Sequence, residues 1–227
     1  MRLPTAVLIS GRGSNMQALI RAAADPSYPA EIALVISNRA AAPGLALARA
    51  AGITALVIRP SGKDRTAHEE EIDAALCSHG IALVCLAGYL RILSPFLVER
   101  WRGRMLNIHP SLLPAFPGLD THARALAAGA KLHGCTVHLV TERLDDGPIL
   151  AQAAVPVLPG DTPESLAARV LAQEHRIYPL ALAALAGGAV RAAPDDAALL
   201  NPCAPPGLLP SPCGRGVGGE GGEWSAQ

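Results

Sequence analysis

Short apolar runs alternate with longer stretches of helical periodicity from the N-terminus to about residue 186. Runs of four to eight apolar residues predict strands, whereas apolar positions three and four apart predict amphipathic helices. This alternation predicts βαβ units and therefore an α/β fold with a Rossmann-like, mostly parallel sheet flanked by helices. The predicted strands are 5–10, 32–37, 55–58, 81–87, 105–109, 135–140 and 149–157, the last two antiparallel at one side of the sheet; the predicted helices are 14–24, 43–51, 66–79, 121–128 and 161–186, with a further one starting at 94–95.

The composition changes after Pro194. Residues 201–223 (NPCAPPGLLPSPCGRGVGGEGGE) are dominated by proline and glycine, which favour neither helix nor strand. We therefore expect one globular catalytic domain over residues 1–192 and a disordered, Pro/Gly-rich tail over residues 193–227.

Charge and composition exclude several classes of protein. Among 227 residues, 19 basic side chains balance 19 acidic ones, so no general electrostatic surface for nucleic acid is expected. No apolar run reaches the roughly 18 residues of a membrane span, and no signal peptide precedes the first strand. Five cysteines without a CxxC motif argue against a disulfide framework or a zinc ribbon. We expect a cytoplasmic protein with small-molecule partners, present as a monomer or homodimer.

A glycine-containing loop, Gly11-Arg12-Gly13-Ser14-Asn15, joins the first predicted strand to the first helix. Glycines allow a close backbone approach, and the free N–H groups at a helix start favour an anion such as phosphate. The dinucleotide pattern GxGxxG is not met, so the loop suits a single phosphate. An ordinary glycine turn with a serine cap would explain the motif equally well.

A second motif, NIHPSLLP at residues 107–114, follows the strand predicted at 105–109. Ligands of open α/β sheets bind at the carboxyl ends of strands, and alternation places Asn107 and His109 on one face. An amide can stabilise an oxyanion, and an imidazole can transfer a proton near neutral pH. A lone buried histidine would favour a structural role, but the Asn-x-His pair favours chemistry.

The turn LDDGP at residues 144–148 offers two carboxylates, Asp145 and Asp146. A carboxylate beside an imidazole orients it and stabilises its charged form. Either aspartate could serve His109, and the motif alone does not separate them. No HExxH or similar metal motif occurs, so no metal is expected.

Six strings together resemble the glycinamide ribonucleotide formyltransferase family. They are ISGRGSNMQA at 9–18, AGYLRILSP at 87–95, LNIHPSLLPAFPG at 106–118, HGCTVHLV at 133–140, LDDGPILAQ at 144–152 and QEHRIYP at 173–179. The resemblance implies transfer of a formyl group from 10-formyltetrahydrofolate, as co-substrate, to the amine of 5-phosphoribosylglycinamide in de novo purine biosynthesis.

The resemblance also implies residue roles. The implied catalytic trio is Asn107, His109 and Asp145, and the implied phosphate-binding loop is Gly13, Ser14 and Asn15. The implied folate pocket is formed by Arg65, Leu90, Arg91, Ile92, Leu93 and Asn107. Glu174 matches a position near the ribose and glycinamide, and Thr136 matches a supporting hydroxyl residue.

Some positions depart from the family pattern. Ala115-Phe116 replaces a basic-aromatic pair, Asp120 replaces a histidine, and Leu171 replaces a polar residue. These departures concern substrate affinity rather than the chemistry.

Three alternatives are open. Formyltetrahydrofolate deformylase has a similar site but uses water, and typically carries an N-terminal regulatory domain that is not expected before the strand starting at Thr5. Methionyl-tRNA formyltransferase typically has a C-terminal RNA-binding domain, which the residues after Ala192 could not form. A non-catalytic nucleotide-binding module would explain the glycine loop but not the Asn-x-His pair with its carboxylate.

Overall fold

The computed structural model describes residues 2–187 and 198–200. Their strands form one sheet in the order β3-β2-β1-β4-β5-β6-β7-β8. The first five strands along the chain pair in parallel, and β6, β7 and β8 are added antiparallel. The predicted α/β class, with a mostly parallel sheet and two antiparallel strands at one side, is thus confirmed. The strands are β1 (Leu3–Ile9), β2 (Ala30–Ser37), β3 (Thr54–Val57), β4 (Leu83–Leu86), β5 (Met105–His109), β6 (Leu132–Leu139), β7 (Ile149–Pro156) and β8 (Ala198–Leu200).

Helices cover both faces of this sheet, so two apolar cores form. On β1, Val7 and Ile9 belong to one core, whereas Ala6 and Leu8 belong to the other. Because both faces are covered, the central strands are apolar at nearly every position rather than at alternate ones. The helices are α1 (Ser14–Ala23), α2 (Pro43–Ala50), α3 (Arg65–Ser78), α4 (Pro95–Arg100), α5 (Thr121–Ala127) and α6 (Pro163–Leu185).

The long helix α6 starts where the sequence predicts a cap. The Thr162 hydroxyl accepts the Ser165 N–H, the Ser165 hydroxyl accepts the Thr162 N–H, and Pro163 occupies the first turn. Near its middle, the buried Tyr178 hydroxyl donates to the carbonyl oxygen of Leu86, at 3.0 Å. This contact fixes α6 against the centre of the sheet.

Several strand boundaries differ from the predictions by one to three residues, including the starts of β4 and β6. β4 starts at Leu83 rather than at residue 81, because the Ile81 N–H bonds back to the Leu76 carbonyl and completes the end of α3. β6 starts earlier than residue 135 and runs through Gly134. A Cβ at Gly134 would lie 2.0 Å from the Ala153 oxygen, so only glycine fits there.

The predicted tail contains a short strand. Residues Ala198–Leu200 pair antiparallel with β7, with Leu200 opposite Ala151. The remaining tail residues lie outside the described ranges, so their expected disorder stays a prediction. Cys77 is disulfide-bonded, which the odd cysteine count did not indicate. Within the described ranges, no helix is long and apolar enough to cross a membrane.

Candidate active site

The candidate site lies at the carboxyl edge of β1, β4 and β5. The strand order reverses at β1, which has β2 on one side and β4 on the other. Ligands of open α/β sheets bind at such a switch point. Neighbouring strands are about 4.8 Å apart, so the ends of β1 and β5 are separated by about 10 Å. The glycine loop and the Asn-x-His motif therefore border one crevice.

Backbone geometry shapes the glycine loop at the start of α1. Gly13 has φ +75°, a left-handed conformation that glycine adopts at little cost. Gly44 of α2 packs against the loop and donates its N–H to the Gly11 carbonyl at 3.1 Å. A Cβ at Gly44 would lie 2.6 Å from the Ile9 side chain. The close approach of α2 thus supports the loop from behind.

A buried polar contact joins this loop to α6. The Asn15 side-chain N–H donates to the Glu174 carboxyl at 2.6 Å, and both residues are buried. Burial raises the pKa of Glu174, and the Asn15 hydrogen bond opposes that rise. The Asn15 Oδ1 atom is buried without a partner among the described residues. Glu174 therefore lies at the glycine loop, although it is distant in sequence.

The carboxylate that reaches His109 is Asp145. Its Oδ2 atom lies 3.4 Å from His109 Nδ1, and both side chains are less than a tenth exposed. The same oxygen accepts the Gly118 N–H at 2.8 Å. The other ring nitrogen of His109 lies 3.1 Å from the Phe116 carbonyl. Each ring nitrogen faces an oxygen acceptor, so a protonated His109 can donate on both sides.

Asn107 meets a histidine from the neighbouring strand. His138 lies opposite Asn107 across the β5–β6 ladder, and the Asn107 Nδ2 atom is 3.2 Å from His138 Nε2. His138 Nδ1 bonds the Leu139 carbonyl at 2.9 Å, so the unprotonated Nε2 accepts from Asn107. Burial lowers the pKa of His138, which keeps this acceptor neutral. The contact fixes the orientation of the Asn107 amide.

Thr136 holds the loop that follows β5. Its hydroxyl donates to the Ser111 carbonyl at 2.7 Å and accepts the Leu113 N–H at 3.0 Å. Gln152 of β7 donates to both the Thr136 hydroxyl and the Leu113 carbonyl. Two side chains, one from β6 and one from β7, thus set the path of the chain directly after His109.

Phe116 and Asp120, the second of which departs from the family pattern, lie in the loop between β5 and α5. Both adopt positive φ, near 53° and 55°. Phe116 meets the buried His133 edge to face, and His133 Nε2 lies 3.1 Å from His122 Nδ1. Burial lowers the pKa of His133 to about 4. A neutral aromatic cluster therefore lies beneath the loop.

The segment between β4 and α4 borders the same crevice. Leu90 and Ile92 each leave 63% of their surface exposed, and Arg91 and Leu93 are half-buried. Arg65 is the exposed first residue of α3. An exposed apolar edge with a nearby cation suits a flat, partly charged ligand.

The structure brings the three predicted catalytic residues together and separates the two aspartates. Asp146 is 61% exposed at its side chain and lies 3.6 Å from Arg143 rather than at His109. Motif reasoning missed His138, because its contact with Asn107 needs the β5–β6 register. Within the described ranges, no three His, Cys, Asp or Glu side chains form a group that could hold a metal ion.

This fold and site define a class of protein: a Rossmann-like α/β enzyme with a glycine loop at the start of α1 beside an Asn-His-Asp trio. Residues 3–182 match the model of the formyl transferase family. The chain belongs to that family.

Individual relatives and solved structures support the same family. The chain is 47% identical over 186 residues to phosphoribosylglycinamide formyltransferase of Escherichia coli K12, covering 82% of this chain and 88% of the relative. A crystal structure of phosphoribosylglycinamide formyltransferase from Brucella melitensis is 59% identical with a TM-score of 0.79, covering 85% of this chain and all of that one. A formyltetrahydrofolate deformylase structure from Pseudomonas syringae is 28% identical with a TM-score of 0.77, covering 82% of this chain and 62% of that one.

Some relatives are much longer. The trifunctional purine biosynthetic protein adenosine-3 of Bos taurus is 52% identical over 187 residues, which are 82% of this chain and 18% of that protein. The chain therefore spans about a fifth of the length of these relatives.

Proposed function

We propose that the chain transfers a formyl group from 10-formyltetrahydrofolate to the amine of 5-phosphoribosylglycinamide, giving formylglycinamide ribonucleotide and tetrahydrofolate for purine synthesis. The observation that carries this proposal is the convergence of Asn107, His109 and Asp145 beside the loop of Gly13, Ser14 and Asn15. The names of the E. coli and Brucella relatives support the acceptor and the transferred formyl group.

Formyl transfer needs a group that stabilises a developing oxyanion. The substrate amine attacks the formyl carbon, and the carbonyl oxygen gains negative charge as the tetrahedral intermediate forms. The donors for that oxygen are the Asn107 amide, oriented by His138, and the Nε2–H of a protonated His109, which faces the Phe116 carbonyl when no substrate is bound. One such donor contributes roughly 3 kcal/mol in comparable sites.

Proton transfer completes the reaction. The attacking amine loses a proton, and the nitrogen at position 10 of the folate gains one as its bond to the formyl carbon breaks. His109 can pass the proton, because Asp145 stabilises its charged form from 3.4 Å. Water can carry the proton over any remaining distance. No covalent intermediate with the enzyme is needed.

In this proposal the two substrates bind along the two borders of the crevice. The N–H groups of Gly13, Ser14 and Asn15 at the start of α1 bind the phosphate. Glu174, held by Asn15, accepts hydrogen bonds from the ribose or glycinamide. On the other border, the folate ring lies along the segment from Leu90 to Leu93, with Asn107 at its formyl end and Arg65 near its acidic tail.

The test is to mix the purified chain with 10-formyltetrahydrofolate, with and without 5-phosphoribosylglycinamide, and to follow tetrahydrofolate by absorbance. We expect formation that depends on the nucleotide. Asn107→Ala and His109→Ala should each lower kcat by about 10²–10³. His79→Ala is the matched control, because His79 is an exposed histidine at the end of α3. Full turnover by Asn107→Ala would overturn the assignment.

The same assay separates the alternatives. Release of tetrahydrofolate without nucleotide would identify a deformylase. Binding of both ligands without turnover would identify a non-catalytic nucleotide-binding module. The 28% identity to the deformylase, against 47% to the E. coli formyltransferase, favours transfer over hydrolysis.

A further inference from the structure

Buried polar groups from two other elements hold the ends of the segment that links β4 to α4. The segment is residues 90–93, and below it is called the folate strip, because the proposed function places the folate there. Ser10 holds its first residue, and Glu69 holds the residue that follows its last.

Ser10 connects the strip to the glycine loop. Its hydroxyl oxygen accepts the Leu90 N–H at 2.9 Å, and its own N–H donates to the Gly88 carbonyl at 3.1 Å. Ser10 is only 2% exposed and directly precedes Gly11. The residue that starts the phosphate-binding loop therefore also positions the folate strip.

Glu69 holds the other end. Its two carboxyl oxygens accept the Ser94 N–H at 3.0 and 3.1 Å, and the Ser94 hydroxyl donates to the same carboxylate. Glu69 lies on α3 and is 1% exposed. A carboxylate so deeply buried is costly unless it is well hydrogen-bonded, so its contacts define one position of Ser94.

Side-chain packing positions the strip only in part, because Leu93 packs against one of the two cores but Leu90 and Ile92 are each 63% exposed. We propose that Ser10 and Glu69 are positioning residues that hold the folate strip in its binding shape, and that Ser10 thereby links folate binding to the nucleotide loop. The identity of the ligand in this inference rests on the proposed function, whereas the contacts of Ser10 and Glu69 are observed in the structure. A preformed strip avoids the entropy cost of ordering it on binding.

The test measures tetrahydrofolate binding by calorimetry and steady-state kinetics with 10-formyltetrahydrofolate for Ser10→Ala and Glu69→Gln. Ser10→Ala removes the acceptor of the Leu90 N–H, and Glu69→Gln replaces one of the two oxygens that hold Ser94 with an NH2 donor. We therefore expect the Kd for tetrahydrofolate and the KM for the formyl donor to rise about tenfold. The loss in kcat should be smaller than the rise in KM, because neither residue reaches the reacting atoms. The KM for 5-phosphoribosylglycinamide should rise less in Glu69→Gln than in Ser10→Ala.

Each variant has a matched control. Ser37 ends β2 opposite Ile9, the residue before Ser10, and it is equally buried, but among the described residues its hydroxyl bonds the backbone of Arg39 rather than the folate strip. Ser37→Ala should lose stability without a change in folate Kd. Glu70, exposed on α3 beside Glu69, gives the control Glu70→Gln.

Hydrogen exchange makes the test independent of the proposed function. The amides of Leu90 and Ser94 should exchange slowly in the unliganded protein, and faster in Ser10→Ala and Glu69→Gln respectively. If exchange is faster in the variants but the wild-type protein does not bind tetrahydrofolate, the folate assignment is wrong, whereas the positioning role of Ser10 and Glu69 is retained. Unchanged exchange, or a folate Kd that moves as much in Ser37→Ala as in Ser10→Ala, would overturn the inference.

Discussion

At the scale of single residues, adjacent side chains of the same type have different environments. Asp145 and Asp146 are the same residue type, but the backbone points their side chains in different directions. The positive φ of Asp145, 53°, turns its side chain inward, where it is 6% exposed, while Asp146 remains 61% exposed. A chemical role follows from that orientation rather than from residue type.

This contrast predicts unequal effects of the same substitution. Asp145→Asn removes the charge beside His109 while keeping the side-chain shape, so kcat should fall by at least about a hundredfold. Asp146→Asn breaks only an exposed contact with Arg143 and should leave kcat within about twofold. Steady-state kinetics at neutral pH provides the measurement. Equal losses in the two variants would contradict the assignment of Asp145.

Another prediction at this scale concerns the stability of the folded chain at acidic pH. Burial, with a smaller contribution from the nearby His122, lowers the pKa of His133 from 6.5 to about 4. Between those pH values the unfolded chain binds a proton that the folded chain does not, so this site makes the folded state less stable as pH falls from 6.5 toward 4. The urea midpoint should decrease over that range. His133→Gln should flatten the decrease, and a slope identical to wild type would show that His133 does not titrate as expected.

At the scale of elements, the antiparallel strands β6 and β7 support chemistry that resides on β5. Thr136 and Gln152 project from these strands and hydrogen-bond the backbone at Ser111 and Leu113. The supports belong to regular ladders, so they are rigid, whereas the loop they hold has no regular structure. A strand at the edge of the candidate site thus sets the position of a catalytic loop.

Replacing the Thr136 hydroxyl tests this support. Thr136→Val keeps the shape but leaves the Leu113 N–H and the Ser111 carbonyl without their partner, so unfolding should become about 1–3 kcal/mol easier. kcat should also fall, because His109 precedes the released loop. Thr136→Ser retains the hydroxyl and should recover most of both losses. Urea unfolding and kinetics on the three proteins would decide, and a Ser variant as impaired as Val would argue against the hydroxyl.

At the scale of the whole molecule, the site residues lie between β1 and α6, while β8 only extends the sheet. β8 pairs with β7 at the end of the sheet remote from the glycine loop. It covers hydrogen-bonding groups of β7 that would otherwise form an exposed edge, and exposed edges promote association. We therefore expect β8 to protect the edge of the sheet rather than to take part in the reaction.

Truncation separates these two contributions. A chain ending at Ala192 should keep kcat within about twofold of the full chain, because it retains every proposed site residue. It should self-associate more than a chain ending at Leu200, which keeps β8. Kinetics and light scattering on both proteins test this. A large loss of turnover in the 1–192 chain, with none in the 1–200 chain, would give β8 a role at the site.

Much of this organisation could be predicted from local pattern. The apolar run of β1, the glycines around Ser14 and the Asn-x-His spacing depend on residues close together in the chain, so they are visible in sequence. The predicted start of β4 was wrong by two residues because the Ile81 N–H bonds back to the end of α3. The strand at Ala198–Leu200 was missed because it pairs with β7, which is distant in sequence, and pairing across a sheet leaves no local signal.

The sequence by itself determined the order of the elements from β1 to α6, the mostly parallel α/β class, the position of the glycine loop and the family motifs, because these follow from periodicity and short-range chemistry. Only the tertiary structure chose Asp145 over Asp146, placed His138 against Asn107, and joined Asn15 to Glu174. These contacts depend on strand register and helix packing, which arise from the summed burial of the whole core. Such distances are properties of the folded chain, not of any segment within it.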